Sequence, residues 1–498
     1  MSEAMLDLAN PPPAALPYGF ARRHGVSVRL TDAGYECAHV ATTPLAARLE
    51  VQRLFGAATR FVELPEAAFD QRLREQYQES ANNAAGFAAE LDTDLAALAD
   101  SAAAVDDLLD QRDDSPVIRL INALLLEAVK EGASDIHIET QEKRVVVRFR
   151  IDGVLRDMIE PKRALAPLLV SRIKVMARLD IAEKRVPQDG RVTLRVGGHE
   201  IDVRVSTLPT QHGERVVMRL LDRDAVRLDL EHLGMSARDT ALFARLLERP
   251  NGILLVTGPT GSGKTTTLYA ALNRLNDRKR SIMTVEDPIE YELTGISQTQ
   301  VNPRTDMTFA RGLRAILRQD PDVIMVGEIR DQETAETAVR SAMTGHFVLS
   351  TLHTNSAVGS ITRLTDMGVE RYLLAPMVVG LIAQRLVRRL CPDCREADVA
   401  RDADVALLGG SLKPGEALWR AKGCPACHNE GYRGRTAIYE IVEVDGAVEM
   451  LIHDGASEAE LTRSARRLSP SLLDDGIAKL REGMTSVEEV ARVVRDDS

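Results

Sequence analysis

The stretch Gly258-Pro259-Thr260-Gly261-Ser262-Gly263-Lys264-Thr265-Thr266 constrains the fold of this chain more than any other. Before it, Ile253-Leu-Leu-Val256 is short, apolar and branched, the pattern of a buried parallel strand, and Thr267-Leu-Tyr-Ala-Ala-Leu272 after it reads as helix. Strand, glycine loop and helix in this order make a Walker A loop. Glycines at 258, 261 and 263 let backbone N–H groups and the helix N-terminus face an anion. Lys264 adds a point charge there, and the Thr265 hydroxyl can reach Mg²⁺. A chance glycine turn would not carry the matching strand and helix on its two sides.

The rest of the chain must be organised around that unit. At 498 residues it is too long for one core, and ordinary domain sizes predict roughly three or four units. The formal charge of −11 and pI near 5.6 argue against a sequence-independent nucleic-acid binder, which needs a basic field over the phosphates. The most apolar stretch, Leu373 to Ala383, is broken by Pro376 and Gly380 and is well short of the roughly 20 apolar residues a bilayer requires. The N-terminal residues lack a basic and then apolar export signal, so a cytoplasmic protein is expected.

In chain order, residues 1–85 read as a small unit of alternating strand-like and helical pieces. Residues 86–114 form an acidic linker, nine Asp or Glu against a single Arg112, with leucines at helical spacing. Ser115 as cap and Pro116 in the first turn then start a helix whose Val117, Leu120, Ile121, Leu124, Leu125 and Ala128 share one face. It opens an α+β domain, residues 115–240, in which alternating segments such as Val145 to Arg150, Ile201 to Val205 and Arg215 to Leu220 predict an antiparallel sheet. Within 241–498, the runs Ile253–Val256, Ile282–Val285, Val323–Val326 and Phe347–Leu352 alternate with helical patterns. That alternation predicts an α/β unit with a parallel sheet and crossover helices, the RecA-like layout of motor ATPases. Beyond Asn355 the chain reads as helical, interrupted by cysteine pairs.

Two acidic segments follow the glycine loop. Thr284-Val-Glu286-Asp287-Pro-Ile-Glu290-Tyr-Glu292 closes one core strand, and Val323-Ile-Met-Val-Gly327-Glu328 places a carboxylate just past another, the Walker B arrangement. Strand ends in a parallel sheet face the ligand, so one carboxylate can hold the Mg²⁺ shell while another orients water for phosphoryl transfer. His353, at the end of a further strand, is placed to sense a γ-phosphate or couple to a neighbouring subunit. Cys391-Pro-Asp-Cys394 and Cys424-Pro-Ala-Cys427 have the spacing of two zinc knuckles, and four thiolates would close a structural Zn²⁺ site.

These boxes together resemble the secretion ATPase superfamily that drives type II secretion and type IV pili, and most specifically its type II secretion branch. The similarity extends through Gly132-Ala-Ser-Asp-Ile-His-Ile-Glu139 and Lys184-Arg-Val-Pro-Gln-Asp-Gly-Arg191. The resemblance implies ATP hydrolysis with Glu290 polarising water, Glu328 as the Walker B glutamate and Asp287 near Mg²⁺. Arg204 and Arg219 of the α+β, PAS-like domain would reach the nucleotide as that domain closes. It also implies a hexameric ring, peripheral at the bacterial inner membrane. Its N-terminal docking domain would bind the cytoplasmic part of general secretory pathway protein L, and its output would act on the platform protein, general secretory pathway protein F. The alternatives are a pilus-assembly ATPase and, from another class, a nucleic-acid translocase or helicase on the same core; the acidic charge opposes the latter.

Overall fold

The structure is a computed structural model that describes residues 16, 24–72 apart from 32–33, 56–58, 66–67 and 70–71, and 116–495 apart from 197–198 and 223–227. Ser115 and the acidic 86–114 segment lie outside the described residues. The chain divides into two compact units, Met1–Ser101 and Ala102–Ser498.

In the first unit β1 (Val26–Thr31) pairs antiparallel with β2 (Gly34–His39), which pairs parallel with β3 (Arg60–Glu63). The helix Leu45–Phe55 sets Val51 and Phe55 into a core with Val26, Val28 and Cys37.

The second unit opens with the helix Pro116–Lys130, which buries Val117, Leu120, Ile121, Leu124, Leu125 and Ala128, the face marked by its periodicity. Gly132 turns the chain at a φ of 65° into a six-stranded sheet. Its strands are β4 (Ala133–Thr140), β5 (Val145–Ile151), β6 (Val154–Ile159), β7 (Gln188–Val196), β8 (His199–Thr210) and β9 (Gly213–Asp222), in the order β6-β5-β4-β9-β8-β7. Every pairing is antiparallel, as the alternating segments predict.

A seven-stranded sheet forms the centre of this unit. Its strands are β10 (Gly252–Thr257), β11 (Ile282–Glu286), β12 (Ser297–Gln300), β13 (Val323–Val326), β14 (Phe347–Leu352) and β15 (Val378–Leu390), with β18 (Tyr432–Glu443) at one edge. The order is β12-β11-β13-β14-β10-β15-β18, and all neighbours are parallel except β15 and β18. The four core strands read from the sequence are all present. Two features extend that reading: β12, Ser-Gln-Thr-Gln, is a polar edge strand, and the region past Asn355 adds two long strands to its helices. Pro376 lies inside the short helix Arg371–Met377 and Gly380 inside β15, where a Cβ would stand 2.8 Å from Leu246 of the helix Ala237–Leu247. The interruptions that broke the apolar stretch therefore mark a helix-to-strand junction and a close helix contact. Between β15 and β18 a small hairpin, β16 (Glu396–Val399) and β17 (Ala417–Arg420), accompanies the cysteines. Among the described residues no helix is long and apolar enough to cross a membrane.

Candidate nucleotide site and cysteine centre

Gly258, Gly261 and Gly263 take φ values of 146°, 80° and 89°, which side-chain-bearing residues rarely adopt. Two of them are also held by space. A Cβ at 258 would collide with the Gln384 carbonyl oxygen, and one at 263 would stand 2.7 Å from Gln384 Nε2. Gly263 then caps the helix Lys264–Leu275, whose first N–H groups are left for an anion.

Lys264 is buried, and its Nζ donates to the carbonyls of Gly258 at 2.6 Å and Pro259 at 3.1 Å. Burial pushes its ammonium down to about 8, Glu328 pulling the other way and Arg385 adding to the depression. The Ser262 Oγ is buried without a hydrogen-bond partner, and Thr265 is exposed toward the cavity. A triphosphate fits this donor set: a folded-back lysine, a hydroxyl lacking an acceptor, and a helix terminus without a side-chain cap.

The cavity beside the loop has a volume of about 460 Å³ and is also lined by Asp287, Glu290, Glu328, Arg330 and His353. Parallel pairing of β11, β13 and β14 carries these residues to the same end of the sheet as the loop. Glu328 pairs with Arg330 at 2.5 Å and faces His353 Nε2 at 3.5 Å. Burial and the nearby Lys264 lower the imidazolium of His353, against the pull of Glu328. Glu290 receives Arg204 from β8 at 2.7 Å, and the same guanidinium donates to the Ile289 carbonyl at 2.9 Å. Arg204 therefore spans from the antiparallel sheet to the acidic segment. Its register partner Arg219 does not: it pairs with Asp135 of its own sheet at 2.9 Å.

The four cysteines of the two pairs form one cluster, their sulfurs all within 4.8 Å of one another. The Cys391–Cys424, Cys394–Cys427 and Cys424–Cys427 separations are 3.9, 3.7 and 3.8 Å. A tetrahedron with Zn–S bonds of about 2.3 Å has edges of about 3.8 Å, so the donor set fits zinc. Backbone N–H groups of Cys424 and Gly431, each 3.2 Å from the Cys427 sulfur, would stabilise its thiolate.

Residues 110–492 match the family described as Type II/IV secretion system protein, and residues 15–77 match the N-terminal domain family of GSPII protein E. The chain belongs to the type II/IV secretion system protein family. It is a secretion ATPase. It is 60% identical to Type II secretion system protein E of Pseudomonas aeruginosa over 501 residues, covering 100% of both chains. It is 54% identical to Type II secretion system ATPase E of Vibrio cholerae, covering 97% of each. Among solved structures it resembles the pilus retraction motor PilT with bound ADP, at 28% identity and a TM-score of 0.53, over 75% of this chain and 96% of that one.

For a secretion ATPase, three features of the site were not singled out by sequence. Gln384 and Arg385 of β15 press against the back of the phosphate loop; the signal was a polar pair closing the apolar stretch that ends at Ala383. Arg330 pairs with Glu328 from just beyond the Walker B strand. Glu286 is the one buried carboxylate of the acidic segment, held by the Tyr269 and Thr284 hydroxyls and by Gln298. Glu286 also lines the cavity, but its carboxylate is buried and taken up by these three partners, which makes it a structural acid, whereas Asp287 and Glu290 are more exposed.

Proposed function

We propose that this ATPase hydrolyses ATP in the cavity beside Lys264 and thereby drives the type II protein secretion system. In that reading it powers pseudopilus assembly, and so export across the outer membrane, from the cytoplasmic face of the inner membrane. The observation that carries it is the convergence of the glycine loop, the carboxylates of two strand ends and Arg204 on one cavity.

The loop from Gly258 to Thr266 grips the phosphates through backbone N–H groups, and Lys264 moves from its two carbonyls onto the β- and γ-oxygens. Thr265 and Asp287 are the groups that would hold Mg²⁺, which when bound neutralises charge on the phosphates. Glu290 orients and polarises the attacking water, Glu328 acts as the Walker B carboxylate, and His353 reads the γ-phosphate. Arg204 is paired with Glu290 before the reaction. Exchanging that carboxylate for the developing phosphate charge frees Glu290 and adds a cation where charge grows. Arg219, held by Asp135, joins only after the antiparallel domain moves. A second cavity of about 660 Å³ shares Gly263, Thr266, Leu386 and Arg435 with the first and has room for sugar and base.

The proposed division is a docking domain over 1–85, a linker over 86–114, the α+β domain over 115–240 and the motor over 241–498. The docking domain would bind the cytoplasmic part of general secretory pathway protein L, which would place the chain peripherally at the inner membrane. The motor would work as a hexamer on general secretory pathway protein F. Zinc at Cys391, Cys394, Cys424 and Cys427 would be structural, because four thiolates leave no position for water. The N-terminal family match and the names of the full-length relatives favour secretion over pilus assembly.

The test is steady-state hydrolysis by the full chain with Lys264→Ala. Loss of turnover with an unchanged fold is expected, and a variant that still hydrolyses ATP at the wild-type rate would overturn the assignment. Turnover stimulated by single-stranded DNA would instead favour the translocase. Recovery of a pilus platform in place of the secretion protein, with the full chain as bait, would redirect the pathway.

A further inference from the structure

The phosphate loop is braced from behind by a side chain outside every sequence box. Gln384 lies on β15, next to β10 in the sheet, and is 2% exposed. Its Nε2 donates to the Ser262 carbonyl at 2.7 Å, and its Oε1 accepts from the Thr267 hydroxyl at 2.7 Å. One amide thus joins the loop to the first turn of the helix that follows it. Both partners are themselves buried, Ser262 at 3% and Thr267 at 0%.

The contact also explains the glycines. The Gln384 amide occupies the space a Cβ would need at Gly263, and its backbone carbonyl occupies that space at Gly258. Loop and glutamine are therefore fitted to one another, and neither could move without leaving a buried polar atom unpaired. Beside it, Arg385 donates to the Gln384 carbonyl at 3.1 Å and to the Asn355 carbonyl at 2.9 Å, which fixes the strand at this point.

We propose that Gln384 is a positioning residue of the nucleotide site, holding the loop in its phosphate-binding shape before the nucleotide arrives. It touches neither phosphate nor water. Its contribution is to keep the Ser262–Lys264 backbone from relaxing when the cavity is empty, so that binding free energy is not spent on reordering the loop. The Ser262 carbonyl gives the amide its sense: it can only accept, so the NH₂ must face it and the amide oxygen is turned to the Thr267 hydroxyl.

The proposal rests on the reading of this cavity as the ATP site, and its test separates the two. Full-length wild type must first bind Mg-ATP by calorimetry; if it does not, that reading fails before Gln384 is at issue. Gln384→Met keeps the side-chain volume and removes both hydrogen bonds. About a tenfold rise in Kd and KM is expected, with kcat within about twofold, because a preformed loop serves ground state and transition state alike. Gln384→Glu keeps the acceptor but faces the Ser262 carbonyl with a charge, so its deficit against wild type is larger at pH 8. That deficit shrinks by pH 6 as the buried carboxyl takes a proton and becomes a donor again. A residue that merely fills space would not show this pH dependence. Unchanged Kd in Gln384→Met, or a Gln384→Glu deficit independent of pH, overturns the proposal. Should Gln384→Met fail to fold, Thr267→Val carries the same test at about a threefold rise in Kd, and an unchanged value overturns it equally.

Discussion

The nucleotide cavity and the cysteine centre each gather a handful of reactive groups, yet they are built on opposite plans. In the cavity, three charged groups hold provisional partners: Lys264 its own loop carbonyls, Glu328 an arginine, Glu290 an arginine from another sheet. At the cysteines the four sulfurs already stand at the corners of one tetrahedron, with backbone N–H groups in place behind them. Exchangeable partners suit a site that must take up and release charge each cycle. A prebuilt shell suits one that must not change at all. Both are legible in local spacing, but only the second is complete in it.

The comparison breaks most visibly if the two sites are not independent. Glu328→Gln should lower steady-state hydrolysis on the order of 10²- to 10⁴-fold, while zinc content, measured by metal analysis, stays as in wild type. Cys394→Ser should do the reverse. Removing one of four ligands should release the metal and lower the first thermal unfolding transition by roughly 10 °C, the effect expected when a structural metal is lost. Nucleotide affinity just below that transition should hold, and a matching fall in affinity would show that the two centres form one unit.

A third experiment probes the joint between them. Glu489, on the helix Val487–Arg495, accepts from the Arg388 backbone at 3.0 Å and its guanidinium at 2.8 Å, and from Arg492 at 2.8 Å. Burial alone would raise its carboxyl, but the two arginines hold it down at about 2. A depressed acid contributes stability that is present above its unfolded value of 4.5 and is lost as the pH falls toward 2. The size is on the order of 3 kcal/mol at neutral pH, since each tenfold change in proton affinity is worth ~1.4 kcal/mol. Glu489→Gln should therefore unfold more readily in urea at pH 7 and show a flatter loss between pH 4.5 and 2 than wild type. The smallest effect concerns exchange inside the cavity. Arg204→Ala should lower kcat/KM about tenfold, with most of the loss in kcat, since the partner it frees and the charge it stabilises both matter after ATP has bound.

How far the sequence reached follows from how each signal is encoded. The strand Ile253–Val256, the Pro116 helix and the cysteine knuckles are specified within a dozen residues, and each stands where its pattern puts it. The acidic segment was legible as a cluster but not as roles: spacing does not tell Glu286, wedged against Tyr269 and Thr284, from Glu290, which pairs with Arg204 of another sheet. Gln384 and β15 were harder still. A run in which polar, charged and apolar residues mix gives no clean period, and its meaning depends on a loop more than 100 residues earlier in the chain. Arg219 shows the converse limit, since its pattern matched while its present partner is Asp135.

The thirteen residues of β15 have one more property. The strand touches the phosphate loop at Gln384 and ends at Leu390, one residue before Cys391, so about 20 Å of extended backbone separates the loop from the cysteine centre, at about 3.3 Å per residue. Over this stretch it is paired with β18 alone, since its ladder with β10 ends at Ala383, and Glu489 holds the Arg388 backbone where the register with β18 shifts. Such a stretch is tied down at its two ends and at Arg388. The cysteine shell therefore fixes where the far end of the strand stands, and the phosphate loop is braced at the near end.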